Sequence, residues 1–210
     1  MSIEPMTGII DSPIDLPKPK RDGYIFAGWY VYVELQCEYT YDTFPFIDLI
    51  LYAKWEPAGI AQDFESYPNT HYDLADDYVY FRPGAENYDG ANVHGGNKSI
   101  KRLGNSSERQ DFLVKYEQEL NVGEEYTISF WMMTETAGAS GKVSMLNATW
   151  PDIAEPVKGK EMDVARYSNL SVGEWKQYKY EFTALTPWVS LRTDGNTVLY
   201  FDDILIYPTK

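Results

Sequence analysis

The feature that most constrains the fold is a regular alternation of apolar and polar positions in several short runs of the chain. In the run 126–133, YTISFWMM, the even-numbered residues are all bulky and apolar, whereas Thr127, Ser129 and Trp131 are among the odd-numbered ones. The run 176–182 repeats the pattern with tyrosine or phenylalanine at 178, 180 and 182, and a third run spans 199–207. Because successive side chains of a strand point to opposite faces, these runs predict strands with one face in a core.

Glycine-containing turn signals separate the runs. They lie at Gly95-Gly96, Gly104-Asn105, Val122-Gly123, Gly138 to Gly141, Val172-Gly173 and Asp194-Gly195. No helical period persists beyond two turns. Short strands between such turns are typical of an antiparallel β-sandwich, so we predict an all-β fold.

The segment KWEPAG, at 54–59, ends one aromatic-rich block and begins another with different turn signals. We therefore place a domain boundary near Pro57, which gives domains at 1–57 and 58–210. In the first block, several prolines precede the turn pair Asp22-Gly23, which opens the aromatic run RDGYIFAGWYVYVEL. A short strand at 49–55 closes this block.

The charge of the chain excludes several classes of partner. A formal net charge of −14 repels phosphate backbones and anionic lipid headgroups, so we expect neither nucleic acid nor membrane as a partner. Cys37 is the only cysteine, and His71 and His94 are the only histidines, which leaves no disulfide framework and no Cys/His zinc site. The N-terminus lacks the pattern of a secretory signal, so the chain is either cytoplasmic or an excised fragment.

The first block carries the strings LPKPKRDGYIFAGWY and LYAKW. Over residues 9–55 it resembles the Listeria and Bacteroides repeat of internalins and other bacterial surface proteins. The resemblance implies a small β-grasp-like module that acts as a cell-surface spacer, with Gly28, Trp29 and Trp55 as packing residues. Members of that family begin with a strand ending in Gly-Gly, which residues 1–8 lack, so this copy is truncated or divergent.

The second block contains five strings in order, namely QDFESY, HGGNKSIKRLGN, LNVGEEYTISFWMMTE, LSVGEWKQYKYEFTA and YFDDILIY. In this order they resemble jelly-roll carbohydrate-binding modules of families four, nine and twenty-two. The resemblance implies a jelly-roll β-sandwich that binds a polysaccharide and catalyses nothing. It also implies a secreted or cell-surface bacterial protein with further domains. Neutral polymers such as xylan, β-glucan, mannan or starch suit the acidic surface.

Modules of this pattern commonly hold a structural Ca²⁺ between their first and last strands. Glu65 and one of Asp202 or Asp203 match those positions, and calcium takes six to eight oxygen ligands. The alternative is that Asp202 accepts backbone hydrogen bonds while Asp203 faces water. Since neighbours in a strand point to opposite faces, the two aspartates do not form a catalytic pair.

A sugar site needs an aromatic platform for the ring and polar groups for the hydroxyls. Two sets of residues fit this requirement, and the sequence does not choose between them. The first set, which alternation places off the core faces, is Trp131, Gln177, Glu181 and Arg192. The second set, which we expect in loops, is Tyr88, Trp150 and Trp188.

One short sequence string supports an enzymatic function. Glu161 and Asp163 in EMDVAR resemble the Glu-x-Asp-x-x-Glu strand of laminarinase-like hydrolases, but Arg166 stands where the acid/base glutamate belongs. Without that proton donor the glycosidic oxygen is a poor leaving group. We therefore expect no catalysis and a solvated loop at these residues. The alternative to sugar binding is a structural or adhesive spacer with no sugar site.

Overall fold

The computed structural model describes residues 3–65, 79–81, 88–89, 91–103, 110–114, 119–146 and 161–209. The chain forms two compact units, Met1–Ala58 and Gly59–Lys210, called here the N-terminal and the C-terminal unit. All regular elements among these residues are β-strands, which confirms the predicted all-β class. No helix capable of crossing a membrane occurs in the ranges given above.

The N-terminal unit contains an antiparallel pair of strands, β1 (Tyr24–Tyr30) and β2 (Tyr52–Pro57). Phe26 lies between two tryptophans, edge-on to Trp29 at 5.3 Å and to Trp55 at 5.6 Å between ring centroids. Gly28 has φ +116°, and a Cβ there would come within 2.9 Å of the Glu38 carboxylate. The tryptophans and the glycine thus have packing and backbone roles. Membership of the Listeria and Bacteroides repeat stays a prediction.

Eleven strands occur in the described part of the C-terminal unit. They are β3 (Ile60–Gln62), β4 (Val79–Phe81), β5 (Tyr88–Asp89), β6 (Ser99–Leu103), β7 (Gln110–Val114), β8 (Glu125–Thr134), β9 (Gly141–Leu146), β10 (Glu161–Tyr167), β11 (Lys176–Thr183), β12 (Trp188–Thr193) and β13 (Val198–Pro208). One sheet has the order β11-β8-β13-β6-β5, with β3 also paired to β13, and the other has the order β10-β9-β12-β7-β4. All pairs are antiparallel.

The core lies between the two sheets and is centred on Phe130 of β8. Its ring is fully buried and lies 6.1 Å from Tyr167 of β10, 5.9 Å from Tyr178 of β11 and 5.9 Å from Phe201 of β13. The core includes Tyr126, Ile128, Phe130 and Met132 of β8 and none of its odd-numbered residues, which confirms the face that the alternation predicts. Aromatic contacts across the two sheets therefore hold the sandwich together.

Two strands contain irregularities that alternation does not predict. In β13 the register shifts between Asp202 and Leu205, and Asp203 has φ +47°, so the assumption of a regular strand is wrong here. In β10 the register with β9 shifts between Asp163 and Ala165. The expectation of a solvated loop at 161–163 is also wrong, because these residues pair with β9 along its length. Such bulges change which way the following side chains point.

We expect Phe130→Ala to destabilise the C-terminal unit by about 3–5 kcal/mol, because it removes a buried ring and leaves a cavity among aromatic neighbours. Chemical denaturation followed by tryptophan fluorescence measures the loss. Glu181→Gln is the matched control, since Glu181 lies on the exposed face of β11. A loss below about 1 kcal/mol for Phe130→Ala would show that this ring does not anchor the core.

Candidate functional site

The outward face of the second sheet carries polar side chains on adjacent strands. Alternation along β9 and β12 sends Val143 and Leu191 into the core and turns Ser144 and Ser190 the other way. These two serines lie opposite each other, and their hydroxyl oxygens are 3.0 Å apart. Both are fully buried, so they form the floor of this face.

Beside the serines lies a cluster of charged residues that β9 and β10 share. Lys142 Nζ lies 2.5 Å from Asp163 Oδ1, and Arg166 Nη2 lies 2.8 Å from Asp163 Oδ2. Burial alone would raise the pKa of Asp163, but the hydrogen bonds and charges of Lys142 and Arg166 hold this pKa below its usual value. Asp163 is therefore a carboxylate at neutral pH and orients both cations.

Arg192 extends the charged cluster onto β12, directly opposite Lys142. Its Nε lies 2.9 Å from Asp194 Oδ1. The single O–H of Tyr167 points between two carbonyl oxygens, that of Arg192 at 2.5 Å, which takes the stronger hydrogen bond, and that of Lys142 at 3.3 Å. The ring of Tyr167 is buried in the core, so the core itself fixes the backbone beneath the cations.

We call this surface the polar face. Its residues are Lys142, Ser144, Asp163, Arg166, Ser190 and Arg192. Their donors and acceptors stand on rigid strands and are oriented by one another, so binding a polar ligand would order few side chains.

Trp131 lies on the opposite side of the sandwich, on the outward face of β8, with Gln177 of β11 directly opposite. His94 stacks on its indole at 3.7 Å between centroids and 14° between planes, and Trp175 meets the same imidazole edge-on at 5.9 Å. The imidazole Nδ1 is 2.7 Å from Asp203 Oδ2. One face of the Trp131 ring is therefore taken by His94.

The prediction that Trp131, Gln177, Glu181 and Arg192 share one face is wrong in one member. Gln177 and Glu181 are exposed on β11 beside β8, but Arg192 lies on β12 of the other sheet. Alternation shows which side of its own strand a residue occupies. It does not show which sheet the strand joins.

The structure gives different answers for the three aromatic residues of the second set. Trp188 is not in a loop, because it begins β12, and it is only 6% exposed. Tyr88 lies in the short strand β5, which pairs with β6. Trp150 falls outside the described residues. The two described members, Tyr88 and Trp188, lie on strands of different sheets.

The acidic residues predicted to bind calcium surround the segment 94–98. Asp202 is fully buried, and its Oδ2 accepts hydrogen bonds from the N–H groups of His94 (2.9 Å) and Gly95 (3.2 Å). Its Oδ1 accepts the N–H of Asp203 at 2.8 Å. Burial raises the pKa of Asp202 to about 6, against the partly opposing effect of these N–H groups, and the nearby charge of Asp203 adds to the rise.

Glu65 holds the other end of the same segment. Its Oε1 accepts the N–H groups of Asn97 at 2.7 Å and Lys98 at 2.8 Å. The Asn97 N–H makes the largest contribution to lowering the pKa of Glu65, against a smaller opposing effect of burial. Gly96 has φ +56°, and a Cβ there would overlap the Glu65 carboxylate. Glycine is therefore required for this close approach.

These contacts limit how many ligands the carboxylates alone could offer a calcium ion. The carboxylate oxygens of Glu65 and Asp202 already accept N–H donors, and carbonyl oxygens would have to supply most of the ligands. In the described ranges, no group of three or more His, Cys, Asp or Glu residues is placed to hold a metal. The calcium ion stays a prediction.

The sequence alone did not identify Lys142 and Ser144 of the polar face, or His94 of the Trp131 surface. Lys142 and Ser144 alternate with Val143 and Met145 in the run GKVSML, so the same period of two that identified β8 could have found them. His94 carries no such signal, because its contact with Trp131 joins a loop to a strand far along the chain.

No protein-family model matches the chain, and no curated protein matches it in sequence. Solved structures do match. The CBM22-1 xylan-binding domain of Paenibacillus barcinonensis Xyn10C is 13% identical, with 71% of this chain and 93% of that chain covered and a TM-score of 0.53. The K2 cleaved adhesin domain of Lys-gingipain is 12% identical, with 71% and 98% covered and a TM-score of 0.51. The chain thus contains a β-sandwich of the type found in carbohydrate-binding modules and adhesin domains.

Because the pKa of Asp202 is raised in the folded protein, the stability of the C-terminal unit should depend on pH. Its contribution to stability is fully present below the unfolded value of 3.8 and is lost as pH rises through about 6. In the presence of a calcium chelator, we expect the free energy of unfolding of the protein to rise by about 2 kcal/mol relative to that of Asp202→Asn as pH falls from 7.5 to 4.5. Denaturation at both pH values measures this difference. A difference that is constant with pH would contradict the raised pKa.

Proposed function

We propose that the C-terminal unit binds a polysaccharide on its polar face and does not cleave it. The observation that carries the proposal is the connected set of fixed donors and acceptors on three adjacent strands of one sheet. The fold similarity to a xylan-binding domain supports it. Sugar hydroxyls both donate and accept, so they match a surface that offers carboxylate, guanidinium and ammonium groups together.

The side chains of the polar face differ in exposure, and their roles in binding differ accordingly. Asp163 and Arg166 have side chains that are 35% and 65% exposed, and Arg192 is partly exposed, so these three contact the ligand. Lys142, at 9%, acts mainly by holding Asp163 in place. The serines below keep β9 and β12 in register and leave no unpaired hydroxyl in the floor.

The absence of catalysis is part of the proposal, and the state of Asp163 supports it. A glycosidase needs one carboxylic acid that keeps its proton near neutral pH. The lowered pKa of Asp163 removes it from that role, and Arg166 stands at the position of the acid/base residue. The ion pair between the two side chains gives both a binding role instead.

We place this binding unit in a secreted or cell-surface bacterial protein with further domains, where the N-terminal unit acts as a spacer. A second candidate function is that both units are spacers without a sugar site. The limited access to two tryptophan rings favours it. Trp188 is buried, and His94 covers one face of Trp131. Neither ring is a fully open platform for stacking.

We expect at least one polymer from a panel of neutral and acidic polysaccharides to retard the protein in affinity electrophoresis. Arg192→Ala should restore mobility, because it removes a partly exposed donor of the polar face. Gln177→Ala is the matched control on the other sheet, beside Trp131. If Gln177→Ala restores mobility and Arg192→Ala does not, the site lies at Trp131. If no polymer retards the protein, the spacer function holds.

The structural calcium ion, proposed from the family resemblance, has a separate test. We expect millimolar Ca²⁺ to raise the melting temperature over that in chelator, because ligand binding to the folded state alone stabilises it. Glu65→Gln should abolish the rise, whereas Glu181→Gln, which changes a distant exposed carboxylate, should not. Equal melting temperatures in calcium and in chelator would contradict the ion.

A further inference from the structure

The two-stranded sheet of the N-terminal unit has one covered edge and one open edge. Beside β1 runs the segment 37–39, where the Val31 N–H donates to the Cys37 carbonyl at 2.9 Å and the Tyr39 N–H donates to the Trp29 carbonyl at 2.7 Å. Of the residues that the structure describes, none pairs with β2 on the side away from β1. An open strand edge is a template for pairing with another chain.

The backbone groups at this open edge follow from alternation along β2. The N–H of Ala58, directly after β2, donates to the Gly23 carbonyl at 2.8 Å, next to the start of β1. Residues of an antiparallel strand bond alternately to the neighbour on one side and to the other side. The even-numbered residues of β2 therefore bond towards β1, whereas Ala53, Trp55 and Pro57 present their backbone groups at the open edge. Pro57 has no N–H and presents only its carbonyl.

We propose that the open edge of β2 pairs antiparallel with β2 of a second copy of this chain, about a two-fold axis at Trp55. In this register the two Trp55 residues exchange N–H and carbonyl hydrogen bonds. Each Ala53 N–H donates to the partner's Pro57 carbonyl, so proline stands where only an acceptor is needed. The two-fold axis makes every such contact occur twice. The pairing concerns the N-terminal unit and does not depend on sugar binding.

Charge complementarity favours this register over its neighbours. Lys54 and Glu56 lie on one face of β2, with 3.6 Å between Nζ and Oε1. An axis at Trp55 places each Lys54 opposite the partner's Glu56, in a pair without mutual backbone hydrogen bonds, where side chains approach closely. An axis at Lys54 or at Glu56 would place like charges opposite each other. The charges of β2 therefore match a second β2 centred on Trp55.

The packed face of β2 also matches itself about this axis. The Trp55 ring lies edge-on to Phe26, which in turn contacts Trp29. The axis brings the two Trp55 side chains opposite each other on this face, and aromatic pairs across strands stabilise a sheet. Two strands alone are marginally stable, whereas four strands with a shared apolar face are not. Pairing thus extends the aromatic cluster from one copy into the next.

The net charge of the chain and the length of β2 make the dimer weak. A formal charge of −14 on each copy opposes association, although at physiological salt charges more than about 8 Å apart are largely screened. The contact involves six residues of each copy, which is a small interface. If the C-terminal unit binds a polysaccharide as proposed above, the dimer carries two such units and holds a repetitive polymer more tightly than one unit does.

Sedimentation equilibrium of the full chain at physiological salt, from about 20 µM to about 1 mM, tests the pairing. We expect the average mass to rise with concentration from that of one chain towards that of two. Lys54→Glu and Glu56→Lys should each weaken association about tenfold, because each places two pairs of like charges across the axis. An equimolar mixture of the two variants should associate again, since the facing charges are then opposite. Lys18→Glu, the same charge change at an exposed lysine outside β2, is the matched control.

Amide proton chemical shifts of the unaltered, labelled chain provide a second readout that does not depend on how a variant folds. As the concentration rises, the amide protons of Ala53 and Trp55 should move downfield, whereas those of Lys54 and Glu56, already bonded towards β1, should move little.

Two outcomes would overturn the inference. The mass of a single chain at every concentration would exclude the second copy and leave the edge to a strand of another protein. Association that Lys54→Glu does not weaken, or that the mixture of variants does not restore, would place the contact elsewhere on the chain. Neither outcome bears on sugar binding by the C-terminal unit, which is tested separately.

Discussion

Burial of alternate aromatic side chains between two sheets is the constraint on which the rest of the C-terminal unit depends. Phe130 contacts aromatic rings from both sheets, including Tyr167 and Phe201. Once these residues point inward, their neighbours must point outward because the strand period is two. The polar face and the Trp131 surface are therefore consequences of the same core, one on each side of the sandwich.

Tyr167 joins that core to the polar face. Its ring packs against Phe130, and its single O–H is shared between a carbonyl of β12 and a more distant carbonyl of β9, directly below the cations. Burial raises the pKa of this phenol well above its usual value, so the donor stays protonated. The positions of Lys142 and Arg192 are thus set by hydrophobic packing, and the charged groups need little further ordering when a ligand arrives.

Features that depend on interactions between residues close in sequence can be predicted from the sequence, and features that depend on distant residues cannot. The core faces of β8 and β11 follow from residues two apart, and the structure confirms them. The partners of Arg192 and Trp131 depend on which strands become neighbours, which is decided far along the chain and was not predicted. Asp202 and Asp203 are a third case, since a bulge in β13 breaks the regular alternation from which we excluded the two as a catalytic pair. The strand at Asp163 was missed because its charged residues obscure the pattern.

We propose that the polar face, and not the Trp131 surface, receives the glycan. Backbone amide chemical shifts of the labelled protein, recorded during titration with an oligosaccharide from a polymer that it binds, test this claim most directly. We expect the largest changes in β9, β10 and β12, around Lys142, Arg166 and Arg192. Changes confined to β8, β11 and the segment 94–98, around Trp131, would contradict it.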